Sequence, residues 1–149
     1  MTGVRKKFSP TLYAENDQRA RDVVLSFLMR GGSWVRRNDD LYGPDLILYA
    51  GHGCEPISYV EVEVKRVWTA GPFPWSTIQI PERKGKLLRE ALPIEFWVLR
   101  ADLKEAVIIP GYVVDSSSLV EVPNVLVSSG ERFFRVPIEQ CIREELVHD

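Results

Sequence analysis

A mixed α/β domain built on a central sheet is the fold this sequence predicts, and three observations predict it. One segment, Glu15 to Met29, carries apolar residues at helical spacing. Two β-type runs, Leu46 to Tyr49 and Tyr59 to Val64, flank a Gly-His-Gly turn. A second helix-like segment, Glu82 to Leu92, is followed by the strongly apolar run Ile94 to Leu99. The order helix, three strands, helix, strand, then a β-rich remainder is that of an α+β or mixed α/β domain. A length of 149 residues, with 45% hydrophobic and 27% charged, suits one domain with a core of its own.

In the first helix Ala20, Val23, Val24, Phe27 and Leu28 recur three and four apart, and Asp17, Arg19, Arg21 and Asp22 face elsewhere. Gly31-Gly32 stops it. Trp34 to Arg37 reads as a short first strand, and Asn38-Asp39-Asp40 as a polar turn. The central pair of strands follows. Trp75 to Ile80 can be extended, Pro81 suits the first turn of the second helix, and Pro93 ends that helix. After Ile94 to Leu99, a turn at 101–104 leads to a strand from Glu105 to Ile109. Weaker strand signals lie at Tyr112 to Val114, Val120 to Val122 and Phe133 to Val136, and Ile138 to Leu146 reads as a closing helix. Residues 15–100 form the expected core of a single domain, and residues 101–149 an extension.

The net charge of −2 argues against a uniformly basic nucleic-acid binder, but it is unevenly distributed. Residues 1–100 carry 15 Lys and Arg against 12 Asp and Glu, whereas residues 101–149 carry 4 against 9. Basic residues cluster at Arg36-Arg37, Lys65-Arg66 and Arg83-Lys84-Lys86-Arg89, enough to present a basic face to phosphates. Cys54 and Cys141 form no disulfide framework or CxxC pair. No run is long enough to span a bilayer, and the basic start lacks an apolar segment behind it, so a cytoplasmic setting is expected.

The chemistry concentrates between Tyr42 and Trp68. Asp45 follows Pro44 and opens the first strand of the pair; Glu63-Val64-Lys65 closes the second. Glu63 and Lys65 share a face, with Val62 and Val64 on the other. Paired as a hairpin, the strands can bring Asp45 beside Glu63 and gather two carboxylates and an ammonium group around one cation. Glu61 is a third acid on that face, either a further ligand or a partner for Arg66 or Arg37. Trp34 and Trp97 are expected in the core; Trp68 and Trp75 flank the loop beside the site, as packing residues or as contacts for a nucleic acid or a partner.

Pro44-Asp45 followed eighteen residues later by Glu63-Val64-Lys65 resembles the signature of the PD-(D/E)XK nuclease superfamily, over roughly Glu15 to Leu99. The resemblance implies a restriction-endonuclease-like αβββαβ core and Mg²⁺-dependent cleavage of DNA, with Mn²⁺ able to substitute. It implies that Asp45, Glu63 and the main-chain carbonyl of Val64 hold the metal, that Lys65 orients water or stabilises charge, and that Glu15 adds a helix-borne acid. Gln79, Arg83 and Lys84, with Arg37 and Arg66, are the expected nucleic-acid contacts. The residue types make chemical sense. Phosphodiester hydrolysis uses a hard cation, and Mg²⁺ takes oxygen ligands, one or two of them carboxylates. Cutting both strands of a duplex symmetrically calls for a homodimer. Two other readings are a nuclease-fold module that binds nucleic acid or protein without turnover, and a small α/β protein whose motif is accidental.

Overall fold

The computed structural model describes residues 10–124 and 127–146, and the side chains of 17–121 and 131–146. Helix α1 (Pro10–Arg30) is followed by three antiparallel strands, β1 (Trp34–Arg37), β2 (Leu46–Tyr49) and β3 (Pro56–Lys65). The chain then leaves this sheet. Strand β4 (Thr77–Pro81) and a 3-10 helix (Glu82–Arg89) carry it across to β5 (Ile94–Arg100), which returns parallel to β3. After β6 (Glu105–Pro110) come a one-turn helix, α2 (Gly111–Asp115), and strands β7 (Ser118–Asn124) and β8 (Val127–Pro137). A 3-10 turn (Ile138–Gln140) leads into β9 (Ile142–Glu145). The main sheet has six strands in the order β1-β2-β3-β5-β6-β9, and a second sheet has three in the order β4-β8-β7. The fold is thus mixed α+β around a central mixed sheet.

Local chemistry accounts for the elements near the site. Ser33 N–H donates to the Leu28 carbonyl at 3.0 Å and Gly32 N–H to that of Met29 at 3.0 Å, with Gly32 at φ +97°. This closes α1 with a left-handed residue that glycine adopts without a Cβ penalty. The helix buries Ala20 and Val24 against Leu46, Val60, Trp97 and Leu99 on one face of the main sheet. The opposite face buries Phe96, Val98, Val107 and Ile109 against Ile78, Ile80 and Val136 of the second sheet. Strands β5 and β6 are covered on both faces, which is why their sequences are apolar without alternation. On the exposed edge strand β1, Arg36 and Arg37 are the kind of charged residues that discourage edge pairing.

Three segments depart from the sequence reading. Residues 82–92 were expected as an α-helix but form a 3-10 helix ending at Arg89. With three residues per turn, positions i and i+3 align, so Lys84 shares the inward row with buried Leu87. Tyr112 to Val114 were expected as a strand. They form α2, because after Pro110 the chain turns down onto β5 and buries Val113 and Val114, and packing overrides their β preference. The closing helix at 138–146 is a 3-10 turn and strand β9. The free edge of β6 supplies backbone partners for residues 142–145, while Leu146 is fully buried beneath the α1 side of the sheet. Residues 105–146 therefore complete both sheets and both cores.

The close approach of α2 to β5 gives a stability prediction. A Cβ on Gly111 would lie 2.8 Å from the Ile94 carbonyl oxygen and 2.9 Å from Ile94 Cγ2. Backbone cannot yield as a flexible side chain does, so Gly111→Ala is expected to destabilise the fold by about 1–3 kcal/mol, as overpacking does. Urea denaturation of the two proteins reads this directly. An unchanged midpoint would show that α2 can shift away from β5.

Candidate metal centre

The loop between β1 and β2 fixes Asp45. Asp40 N–H donates to Asn38 Oδ1 at 3.2 Å and Tyr42 N–H to Asp40 Oδ1 at 3.0 Å. Asn38 Nδ2 donates to the Pro44 carbonyl at 2.8 Å, and Asn38 N–H to that of Asp45 at 3.0 Å. Asp45 thus stands immediately before β2, past the end of the ladder. There its Oδ2 accepts a hydrogen bond from the Val62 amide at 2.8 Å. A carboxylate replaces the missing strand partner of β3. Arg21 of α1 reaches Asp45 Oδ1 at 3.7 Å.

The strand register decides which acid meets Asp45. Leu46 lies opposite Val60 in an antiparallel pair, so Asp45 is level with Glu61. Glu63 was expected in that position and lies two residues farther along β3. Glu61 is held from the other side by Lys84, whose Nζ donates to Oε2 at 3.1 Å; both side chains are only 14% exposed. The other oxygen, Glu61 Oε1, is buried without a hydrogen-bond partner. Burial pushes the Glu61 carboxyl up to about 7. The nearby Asp45 carboxylate adds to that rise, while Lys84 opposes it.

The other sequence-predicted residues are dispersed. Lys65 lies four residues beyond Glu61, about 13 Å along the strand, with Nζ over the Trp75 ring at 5.6 Å from its centroid. Arg37 and Arg66 face α1, on the side of the sheet away from Glu61: Arg37 bonds Asp22, and Arg66 lies 3.7 Å from Asp17. Neither Arg pairs with Glu61 in the way its third-acid position suggested. Gln79 lies opposite Arg135, on the face of β4 away from buried Ile78 and Ile80. Glu15 belongs to α1, but its side chain is outside the described residues. Lys84, by contrast, does reach Glu61, and with Arg83, Leu41, Tyr42, Lys86 and Glu61 it lines a cleft of about 190 Å³. Lys86 Nζ stands 6.0 Å from the centroid of the Tyr42 ring, which is highly exposed.

Of the tryptophans, Trp34 departs from its expected place in the core. Trp68 is buried in the inter-sheet core, donating from Nε1 to the Gly71 carbonyl at 2.9 Å, and Trp34 is half exposed on β1. Trp97 is buried, as expected, and Trp75 is exposed.

Asp45 and Glu61 form a pair of neighbouring carboxylates that could share a small oxygen-seeking cation. Among the described residues no group of three or more His, Cys, Asp or Glu side chains is gathered. The sequence does not distinguish Glu61 from Glu63 as the partner of Asp45, because the two spacings differ by only one same-face step.

The raised Glu61 value has a testable sign. Below about pH 4.5 the carboxyl is protonated in folded and unfolded chains alike. As pH rises toward 7 the unfolded chain ionises first, so the folded state loses stability until both forms have lost the proton. Without metal, the loss attributable to Glu61 between pH 4.5 and 7 is about 3 kcal/mol. Glu61→Gln removes this slope, so the stability difference between variant and parent is expected to move in the variant's favour across that window. Urea titrations at several pH values check it. A difference independent of pH would mean that Glu61 titrates normally.

The sequence matches no protein-family model and no curated protein.

Proposed function

We propose that the chain is a divalent-metal-dependent nuclease whose centre is Asp45 and Glu61. The observation that carries this reading is the part-buried carboxylate pair itself: Glu61 Oε1 meets no donor among the described residues and sits against Asp45. Two adjoining carboxylates are held together by a shared proton or by a cation, and with Glu61 raised to about 7 that proton is readily displaced by metal near neutral pH. Two carboxylates suit Mg²⁺ or Mn²⁺, which retain waters and accept substrate phosphate oxygens alongside one or two acids. When bound, such a cation supplies charge neutralisation at the phosphate and a more acidic water.

The chain's own residues divide the remaining tasks. The Val62 amide orients Asp45, and Lys84 orients Glu61. Arg83 and Lys86 stand at the mouth of the cleft beside Glu61, where they can neutralise a phosphodiester backbone. The order α1-β1-β2-β3, with β5 returning parallel to β3, supports the restriction-endonuclease-like core implied by Pro44-Asp45. In this reading the Glu-x-Lys element of the sequence is replaced by Glu61 with Lys84 supplied from the crossover. The implied main-chain carbonyl then moves from Val64 to Val62.

The test is cleavage of supercoiled plasmid, linear duplex, single strand, four-way junction and RNA with Mg²⁺, Mn²⁺ or EDTA. Metal-dependent cutting that disappears in Asp45→Asn supports the proposal, and the preferred substrate names the class. A second reading, a nuclease-like module that binds without turnover, is favoured by Lys65 lying over Trp75 instead of against the acids. Absence of cutting by a folded protein that still binds DNA would select it.

A further inference from the structure

A second cleft, of about 330 Å³, opens at the far end of β1 and β2, lined by Trp34, Arg36, Tyr49 and the turn from Gly51 to Cys54. Its aromatic groups are arranged for stacking. The rings of Trp34 and His52 lie 5.4 Å apart between centroids at 44°. The Arg36 guanidinium sits 5.6 Å from the Tyr49 ring centroid, while its Nε donates to the Tyr49 hydroxyl at 2.5 Å. Trp34 is 51% exposed and His52 is exposed, so the indole presents a face that the core does not use. Gly53, at φ +74°, allows the tight turn that brings His52 back over β1.

The pleat connects this cleft to the carboxylates. Trp34 pairs with Tyr49, Arg36 with Ile47, and Ile47 with Tyr59. Opposed residues share a face, as do residues two apart on a strand. Trp34, Arg36, Tyr49 and Glu61 therefore lie on one face of the main sheet, and Asp45, just past the end of the ladder, meets Glu61 there. Four residues separate Asp45 from Tyr49, which puts the aromatic cleft about 13 Å from the acids, a span of a few nucleotides.

We propose that the Trp34–His52 cleft is a base-stacking subsite for single-stranded nucleic acid running along this face from the carboxylate pair. The inference rests on the nuclease reading above and specifies its substrate: a single strand, or a strand unpaired beside the cut. An exposed indole, a second ring and an arginine together form the combination that binds single strands without reading their sequence. A duplex keeps its bases stacked inside and offers this platform nothing but backbone.

The test is fluorescence anisotropy of a labelled dodecathymidine and of a labelled duplex of equal length, in EDTA so that nothing is cut, at one fixed low salt concentration. Trp34→Ala is expected to weaken single-strand binding by about tenfold to a hundredfold and duplex binding by less than about twofold, while Trp34→Phe, which keeps a ring, retains most of the affinity. Trp34→Phe also guards against misfolding, and both variants are melted alongside the parent. Equal single-strand affinity in the parent and a folded Trp34→Ala, or equal losses on single strand and duplex, would overturn the stacking subsite while leaving the nuclease reading intact. A parent protein that binds neither nucleic acid, and cuts none with metal present, would overturn both.

Discussion

Glu61→Gln is expected to abolish metal-dependent strand cleavage, lowering the rate by about a thousandfold or more, whereas Glu63→Gln leaves it within about tenfold of the parent. The contrast follows from the strand register. Asp45 stands level with Glu61, its Oδ2 already committed to the Val62 amide, and it cannot move along β3 without breaking that bond. A cation held by both acids loses half of its carboxylate charge when Glu61 becomes an amide. Such an ion contributes several kcal/mol to a phosphoryl-transfer barrier, and each 1.36 kcal/mol is tenfold in rate. Glu63 lies farther along the same face, where its amide leaves the pair intact. Single-turnover cleavage at saturating Mn²⁺, with the melting temperature of each variant measured in parallel, separates the two acids. The reverse result, an inactive Glu63→Gln and an active Glu61→Gln, would return the metal to Glu63-Val64-Lys65 and require β2 to pair two residues out of its present register.

That sensitivity to register explains what could be read from the sequence. Period-two alternation from Tyr59 to Lys65 identifies the face on which the acids lie, and Glu61, Glu63 and Lys65 do share a face. Alternation is silent about which of two same-face acids stands opposite Asp45. A shift by two keeps every valine buried, so no hydrophobic penalty marks the wrong choice. The decision is made by the loop from Asn38 to Pro44, through the hydrogen bonds of Asn38 and Asp40. Such contacts are local in space but carry no periodic signal.

α1 was readable because its apolar stripe is long and its Gly-Gly stop is chemically specific. The five strands from β1 to β3, β5 and β6 were readable because their β-type or apolar runs are bounded by turns. The segments that misled are those whose conformation is set by a partner elsewhere. Residues 142–145 become a strand because β6 offers an unpaired edge, and Val113-Val114 turn helical because the inter-sheet core lies beneath them. Trp34 and Trp68 differ for the same reason. Each sits in or beside a strand-like run, but β1 is an edge and Trp68 falls between the sheets. Burial depends on which strands become neighbours, and that is a property of the assembled sheet.

Lys84 presents the sharper test of how the centre is held together. Lys84→Met keeps most of the length of the side chain and removes its charge. It therefore leaves Glu61 buried beside Asp45 without the cation that opposes the rise in its pKa. Breaking a buried ion pair from one side costs about 3–5 kcal/mol when the remaining group stays charged. Glu61 can escape most of that by keeping its proton, so at pH 7 the variant is expected to fold with a neutral Glu61. A protonated carboxyl is a poor metal ligand. Mn²⁺ affinity and cleavage are accordingly expected to fall by about a hundredfold at pH 7 and to recover as the pH is raised toward 9, where metal can displace the proton. Stability in the absence of metal is expected to run the opposite way: with the folded-state value raised further above that of the unfolded chain, it continues to fall above about pH 8, where the parent has levelled off. Calorimetric Mn²⁺ titrations and urea denaturation at pH 6, 7, 8 and 9 read the two curves. Cleavage that stays equally low at every pH, with Mn²⁺ binding unchanged, would show that Lys84 acts on the substrate phosphate directly and not through the ionisation of Glu61.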